Sequence, residues 1–149
     1  MTHDFRGSIT DSCLITSAEL IEASKAIAAQ SQLMIMDTCH AGGVDYLVSG
    51  PYYARISTLA RQLGLHVYAS CSSTEEALDG YEDNGLFTHA LLEGLLNPEA
   101  DSDDNGRVGA IELGDFAQGR TVDISGELGF EQRPVIVNFG EDMELYSLP

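Results

Sequence analysis

Residues 33–43 read Leu-Met-Ile-Met-Asp-Thr-Cys-His-Ala-Gly-Gly. Four apolar residues end abruptly in an acid, a hydroxyl, a thiol, an imidazole and two glycines. An uninterrupted apolar run of this length predicts a strand buried on both faces of a sheet. The change to polar residues predicts that the strand leaves the sheet and turns at Asp37–Cys39. In open parallel sheets that carboxyl end is where ligands and reactive groups collect. A thiol there is a candidate nucleophile, because backbone N–H groups at such a turn can stabilise developing negative charge. The competing reading is an inert cysteine after a core strand.

The rest of the chain is read around that strand. Thr16 or Ser17 ahead of Ala-Glu-Leu predicts an N-cap, with Glu19 suiting the helix dipole, and the helix is expected to run from about residue 17 to 29. A glycine-rich loop over 40–51 precedes a helix from Tyr52 to Gln62, with Pro51 at its first position and Gly64 ending it. Leu65–Cys71 is a second apolar strand, so 33–71 is expected to form a right-handed βαβ unit. Gly85-Leu-Phe-Thr-His-Ala-Leu-Leu-Glu-Gly-Leu-Leu is a strongly apolar helix closed by Pro98. An acidic loop over 99–109, a short helix over 110–117 and a loop over 118–133 are expected next. Pro134–Phe139 reads as a final edge strand. The 149 residues are of single-domain length, and the expected class is α/β with a mostly parallel sheet flanked by helices.

Charge narrows the partners. A formal net charge of −17 repels nucleic acid and anionic membrane surfaces and suits cations and basic peptides. No apolar leader opens the sequence and no run reaches the length of a membrane span, so a cytoplasmic location is expected. The three cysteines (Cys13, Cys39 and Cys71) form no metal-ligand spacing, and the odd count fits a reducing compartment.

Residues 101–112, Asp-Ser-Asp-Asp-Asn-Gly-Arg-Val-Gly-Ala-Ile-Glu, match the calcium-loop template D-x-[DN]-x-[DN]-G-x5-E at each specified position. Asp101, Asp103 and Asn105 would supply side-chain oxygens, Arg107 its carbonyl, and Glu112 a bidentate carboxylate. Gly106 permits the sharp turn and Val108 packs beneath it. Pro98 ends the preceding helix early and no second loop of this type follows. The expected ion is calcium, bound weakly; the competing reading is an acidic turn leading into a helix.

Asp37-Thr38-Cys39-His40-Ala41-Gly42 resembles the Asp-x-Cys-His-Ser-Gly segment of metacaspases and bacterial caspase-like peptidases, with Ala41 in place of the usual Ser. Val67-Tyr-Ala-Ser-Cys-Ser-Ser, the Gly85-Leu-Phe-Thr-His helix and Glu131-Gln-Arg-Pro-Val are similar to segments that follow in the same order in bacterial caspase-like domains. The resemblance covers about residues 30–140 and implies the second half of a caspase-like α/β/α sandwich. It implies a cysteine endopeptidase in which Cys39 forms the acyl-enzyme, and in which Asp37 helps bind arginine or lysine at P1. The alternative role for Asp37 is to cap the following turn.

One part of the family's pattern is missing. The family's catalytic His, in a His-Gly pair, lies about 50 residues before the Cys. Here the upstream histidine is His3, followed by Asp4. His40 adjoins Cys39 and diverges from it, and His66 and His89 are expected to be structural. The family sheet also has more strands than the three readable here, which would leave strand 33–38 with an open edge. The chain is therefore expected to be the Cys-bearing half of a longer peptidase, completed by further sequence or by a partner chain. The alternative is a non-catalytic caspase-like module that binds calcium or a protein partner. The acidic run Glu75, Glu76, Asp79, Glu82 and Asp83 is expected to be a solvated loop beside a substrate cleft, and Cys71 a buried small apolar residue.

Overall fold

The computed structural model describes residues 17–37, Thr58, 65–72 and 75–148. Cys13, Cys39, His3, His40 and the helix expected over 52–62 (Thr58 excepted) therefore lie outside the described residues. The chain divides into two compact units, Met1–Gln30 and Ser31–Pro149.

In the first unit, helix α1 spans Ser17–Ala26, with Glu19 in its first turn and Lys25 in its last, both suited to the helix dipole. Lys25 pairs with Glu22 one turn earlier at 3.1 Å. Both side chains are exposed, so the pair contributes a few tenths of a kcal/mol, about 0.3–0.5.

The second unit holds two small sheets. Strands β1 (Leu33–Met36) and β2 (His66–Ala69) pair in parallel with Leu33 opposite His66 and Met36 opposite Ala69. The ladder extends past both ends, His66 N–H donating to the Gln32 carbonyl and Ser70 N–H to the Met36 carbonyl. Strand β4 (Val135–Val137) pairs antiparallel on the other side of β2. The order is β1-β2-β4, so the sheet is half parallel where a mostly parallel one was expected. Among the described residues β4 is, as expected, an edge strand that follows Pro134, whose missing N–H is tolerated there.

Burial corrects the reading of β1. Strand β2 is buried throughout, as its place between two neighbours requires. Strand β1, by contrast, is half-buried and Ile35 is 47% exposed. Its apolar run matches that of a central strand, but among the described residues it has a neighbour on one side only.

Helix α2 spans Leu86–Leu96, with Gly85 as N-cap and Asn97 as C-cap. Asn97 then caps a 3-10 turn at Pro98–Ala100 by accepting the Glu99 N–H at 3.0 Å. Strand β3 (Arg107–Gly109) leads directly into helix α3 (Ala110–Glu127), and β3 pairs antiparallel with β5 (Glu144–Ser147). The helix expected to stop at 117 thus continues for ten more residues. Its buried stripe, Leu113, Ala117, Thr121 and Ile124, keeps helical spacing. Thr121 looks polar in the sequence, yet it is fully buried because its hydroxyl donates to the Ala117 carbonyl one turn back at 2.7 Å.

Tyr68 and Ile136 of the sheet pack with Phe87, Ala90 and Leu91 of α2 and Leu113 and Ala117 of α3. Val67, Ala69 and Val135 form a second cluster with Met34, Met36 and Val137, as strand alternation requires. Each large apolar side chain buried here contributes about 1.5–3 kcal/mol. Arg120 of α3 pairs with Glu93 of α2 at 2.8 Å across the helix interface.

Candidate functional site

Asp37 follows the last residue of β1 and is exposed. One carboxylate oxygen, Oδ2, accepts a hydrogen bond from the Thr88 hydroxyl in the first turn of α2. A Cβ on Gly85, the N-cap of α2, would lie 2.7 Å from that same oxygen. Absence of a side chain at 85 is what lets the carboxylate approach the helix N-terminus, where the dipole favours negative charge. The turn that Asp37 was expected to cap lies outside the described residues. The carboxylate is held by an element 51 residues away.

Gln132 organises the loop beyond β2. It is fully buried. Its Nε2 donates to the Ser70 carbonyl at 2.8 Å and its Oε1 accepts the Leu78 N–H at 2.9 Å. Its own N–H donates to Ser125 Oγ at 3.2 Å. Next to it, the Arg133 N–H donates to Glu75 Oε2 at 2.6 Å. Sequence reasoning took Gln132 only as part of a motif and placed Glu75 in a solvated loop. Both belong to the scaffold that ties the sheet's carboxyl end to α3. A lone Gln between two charged residues and ahead of a strand was the available signal.

The two described histidines differ from each other. His66 is buried, as expected, with Nε2 donating to the Glu141 carbonyl at 3.2 Å and Nδ1 2.8 Å from the Asn138 side-chain oxygen. His89 is half-buried and not in the core. Its ring lies edge-on to Tyr81 and within 4 Å of carboxylate oxygens of Glu82 and Glu93. Cys71 is buried and outside any disulfide.

The acidic loop is shaped by its own side chains. Asp101, though ionisable, is buried. Its two oxygens accept the Asn105 N–H at 3.0 Å and the Gly106 N–H at 2.7 Å, and Asp103 Oδ1 also accepts the Asn105 N–H. Gly106 has φ +82°, where a side chain would be strained. Glu112, in the first turn of α3, reaches back across the loop. Its Oε1 accepts from the Ser102 N–H and hydroxyl, both at 2.9 Å, and its Oε2 from the Gly109 N–H at 3.0 Å. Burial pushes the Glu112 carboxyl upward, but these donors, with the Asp103 N–H, outweigh it and hold the group below the ordinary glutamate range.

Oxygens of Asp101, Asp103 and Glu112 come within 4.8 Å of one another. Ligands about 2.4 Å from one calcium ion span at most about twice that distance, so the three carboxylates fit a single hard cation. Asp103 and Glu112 line a hollow of about 320 Å³ together with Asn105, Arg107, Asp142 and Glu144. Glu144 pairs with the Arg107 guanidinium at 2.7 Å. The strand that leaves this loop, β3, pairs with β5, neither of which the sequence reading had placed.

Asp142 was also missed. Its Oδ1 accepts the Ile111 N–H of α3 at 2.9 Å, and its carboxylate occupies the space that a Cβ on Gly109 would need. Tyr68 anchors the same helix start, its hydroxyl donating to the Ala110 carbonyl. Burial, and then the nearby carboxylates of Asp142 and Asp115, raise the phenol well above its ordinary value.

The described residues define a mixed α/β protein with three helices and two small sheets. No helix among them is long and apolar enough to cross a membrane. No protein-family model, curated protein or solved structure matches the chain.

Proposed function

We propose that this chain is the cysteine-bearing part of a caspase-like cysteine endopeptidase that cleaves after arginine or lysine. The reading rests on the Asp37-Thr38-Cys39-His40 segment, and the observation that carries it is the position of the Asp37 carboxylate. It is exposed at the carboxyl end of a parallel strand pair, two residues before the thiol, and is held in place by α2. A carboxylate so held suits a guanidinium or ammonium group, as does the chain's net charge of −17.

In the proposed reaction the Cys39 thiolate attacks the scissile carbonyl carbon. A sulfur–carbon bond forms, the carbon–nitrogen bond breaks, and the amine leaves with a proton from the general acid. Water then hydrolyses the thioester and restores the thiol. Of the two described histidines, His66 is committed to Asn138 and Glu141 and His89 lies on α2 against Tyr81, Glu82 and Glu93, so the general base is assigned to a His-Gly segment supplied from outside these residues. The finer fold, a caspase-like α/β/α sandwich completed by that segment, belongs to the same proposal.

The test is labelling of Cys39 by peptidyl chloromethyl ketones that carry Arg or Asp at P1, read by mass spectrometry. Faster labelling by the Arg reagent is expected. Equal rates would refute the basic-P1 reading. Iodoacetamide should alkylate Cys39 well before Cys71, which is buried; if Cys39 proves as inert as Cys71, it is not the nucleophile.

A second reading is favoured by one observation, the convergence of Asp101, Asp103 and Glu112. In it the loop binds calcium, with Asn105 and the Arg107 carbonyl completing the ligands, and the chain acts as a calcium- or protein-binding module. Calorimetric titration with calcium alone tests this. Weak binding that is lost in Glu112→Gln is expected, and no heat at millimolar calcium would refute it.

A further inference from the structure

We propose that Thr88 is a positioning residue that sets the preference for arginine over lysine, an inference that rests on the reading of Asp37 as the P1-binding carboxylate. Thr88 is one turn into α2, and its hydroxyl donates to Asp37 Oδ2. Gly85 on the preceding turn lets the same oxygen approach within 2.7 Å of where a Cβ would stand. Oδ1 has no hydrogen-bond partner among the described residues. The carboxylate is thus pinned at one oxygen by α2.

Pinning matters because the two basic side chains use a carboxylate differently. A guanidinium presents a planar fork and gains most when both carboxylate oxygens lie in its plane. An ammonium is a compact charge with three rotatable donors and tolerates a carboxylate that turns about its χ angles. A threonine hydroxyl that fixes the carboxylate plane therefore helps arginine more than lysine. It leaves the discrimination against acidic P1 residues unchanged, since the charge of Asp37 supplies that.

The experiment compares peptidyl chloromethyl ketones with Arg, Lys or Asp at P1 as labels of Cys39, in the wild type, Thr88→Val and Thr88→Ser. Iodoacetamide serves as the reagent that recognises no side chain. In Thr88→Val the Arg-to-Lys ratio is expected to fall roughly five- to tenfold, the scale of one lost hydrogen bond. The Lys-to-Asp ratio and the iodoacetamide rate should stay unchanged, and Thr88→Ser should restore the Arg-to-Lys ratio. An unchanged Arg-to-Lys ratio in Thr88→Val, with Arg still preferred over Asp, overturns the role of Thr88 and leaves that of Asp37 standing. A wild type that labels equally with Arg and Asp overturns the Asp37 reading itself. If Thr88→Val does not fold, Gly85→Ala makes the same test, because its methyl group displaces the carboxylate while the hydroxyl remains. A ratio unchanged there overturns the proposal.

Discussion

Replacing Gln132 by Ala should destabilise the protein by about 2–3 kcal/mol. The side chain is fully buried and serves two backbone groups, the Ser70 carbonyl and the Leu78 N–H. A buried polar group that loses its partner costs about 1–3 kcal/mol. Leu78 is half-buried, so water can recover part of its loss, whereas Ser70 is fully buried. Gln132→Glu separates the two contacts. The carboxylate can still accept from Leu78, but at neutral pH it sets an acceptor and a buried charge against the Ser70 carbonyl. It should therefore cost more than the Ala variant at pH 7 and less at pH 5, where the protonated acid can donate. Urea unfolding at both pH values, analysed by linear extrapolation, measures each difference. Amide exchange at Leu78 should accelerate in the Ala variant. A loss below about 0.5 kcal/mol in Gln132→Ala, which is the range of an ordinary surface substitution, would refute this account. So would a Glu variant that is more stable at pH 7 than at pH 5.

Gly109→Ala should displace Asp142 from the start of α3 and cost about 1 kcal/mol, the value of one N-cap, with Asp142→Ala giving a similar loss and the double variant little more; additive losses in thermal unfolding would refute the linkage. Because the Glu112 carboxyl is held below its ordinary value of 4.5, its stabilising effect should be fully present above that pH and fade as the pH falls through the lowered value. Glu112→Gln should accordingly cost stability at pH 7 and converge with the wild type in strong acid, and a constant difference in unfolding free energy would refute this. Tyr68 shifts upward, so the folded state keeps the phenol proton that the unfolded chain releases above about pH 10. Stability should fall as pH rises past that point, and Tyr68→Phe should reduce the fall, as alkaline unfolding curves would record.

The elements legible in the sequence were those whose signal is local. Helix α2 lies where its apolar periodicity and Pro98 placed it, and β2 was readable as an apolar run between Gly64 and a polar loop. The β4 edge strand followed from Val135–Val137 after a proline. The calcium-loop template put Asp101, Asp103 and Glu112 together on spacing alone, because a twelve-residue loop closed by a helix start brings its ends close whatever surrounds it.

Tertiary structure decided what depends on distant partners. Helix α3 runs on to Glu127 because its stripe packs on α2 and the sheet, which outweighs the low helix propensity of Gly119, Thr121 and Val122. β1 and β2 are both apolar, yet only β2 is buried throughout, since burial depends on neighbours that a strand's own sequence does not name. Two helix starts, at Gly85 and Gly109, share one device: a glycine without a side chain admits a carboxylate from elsewhere in the chain, Asp37 in one case and Asp142 in the other. A carboxylate 31 or 51 positions away leaves no local pattern. The attraction between a helix N-terminus and a carboxylate acts through space, and only the folded chain brings the two together.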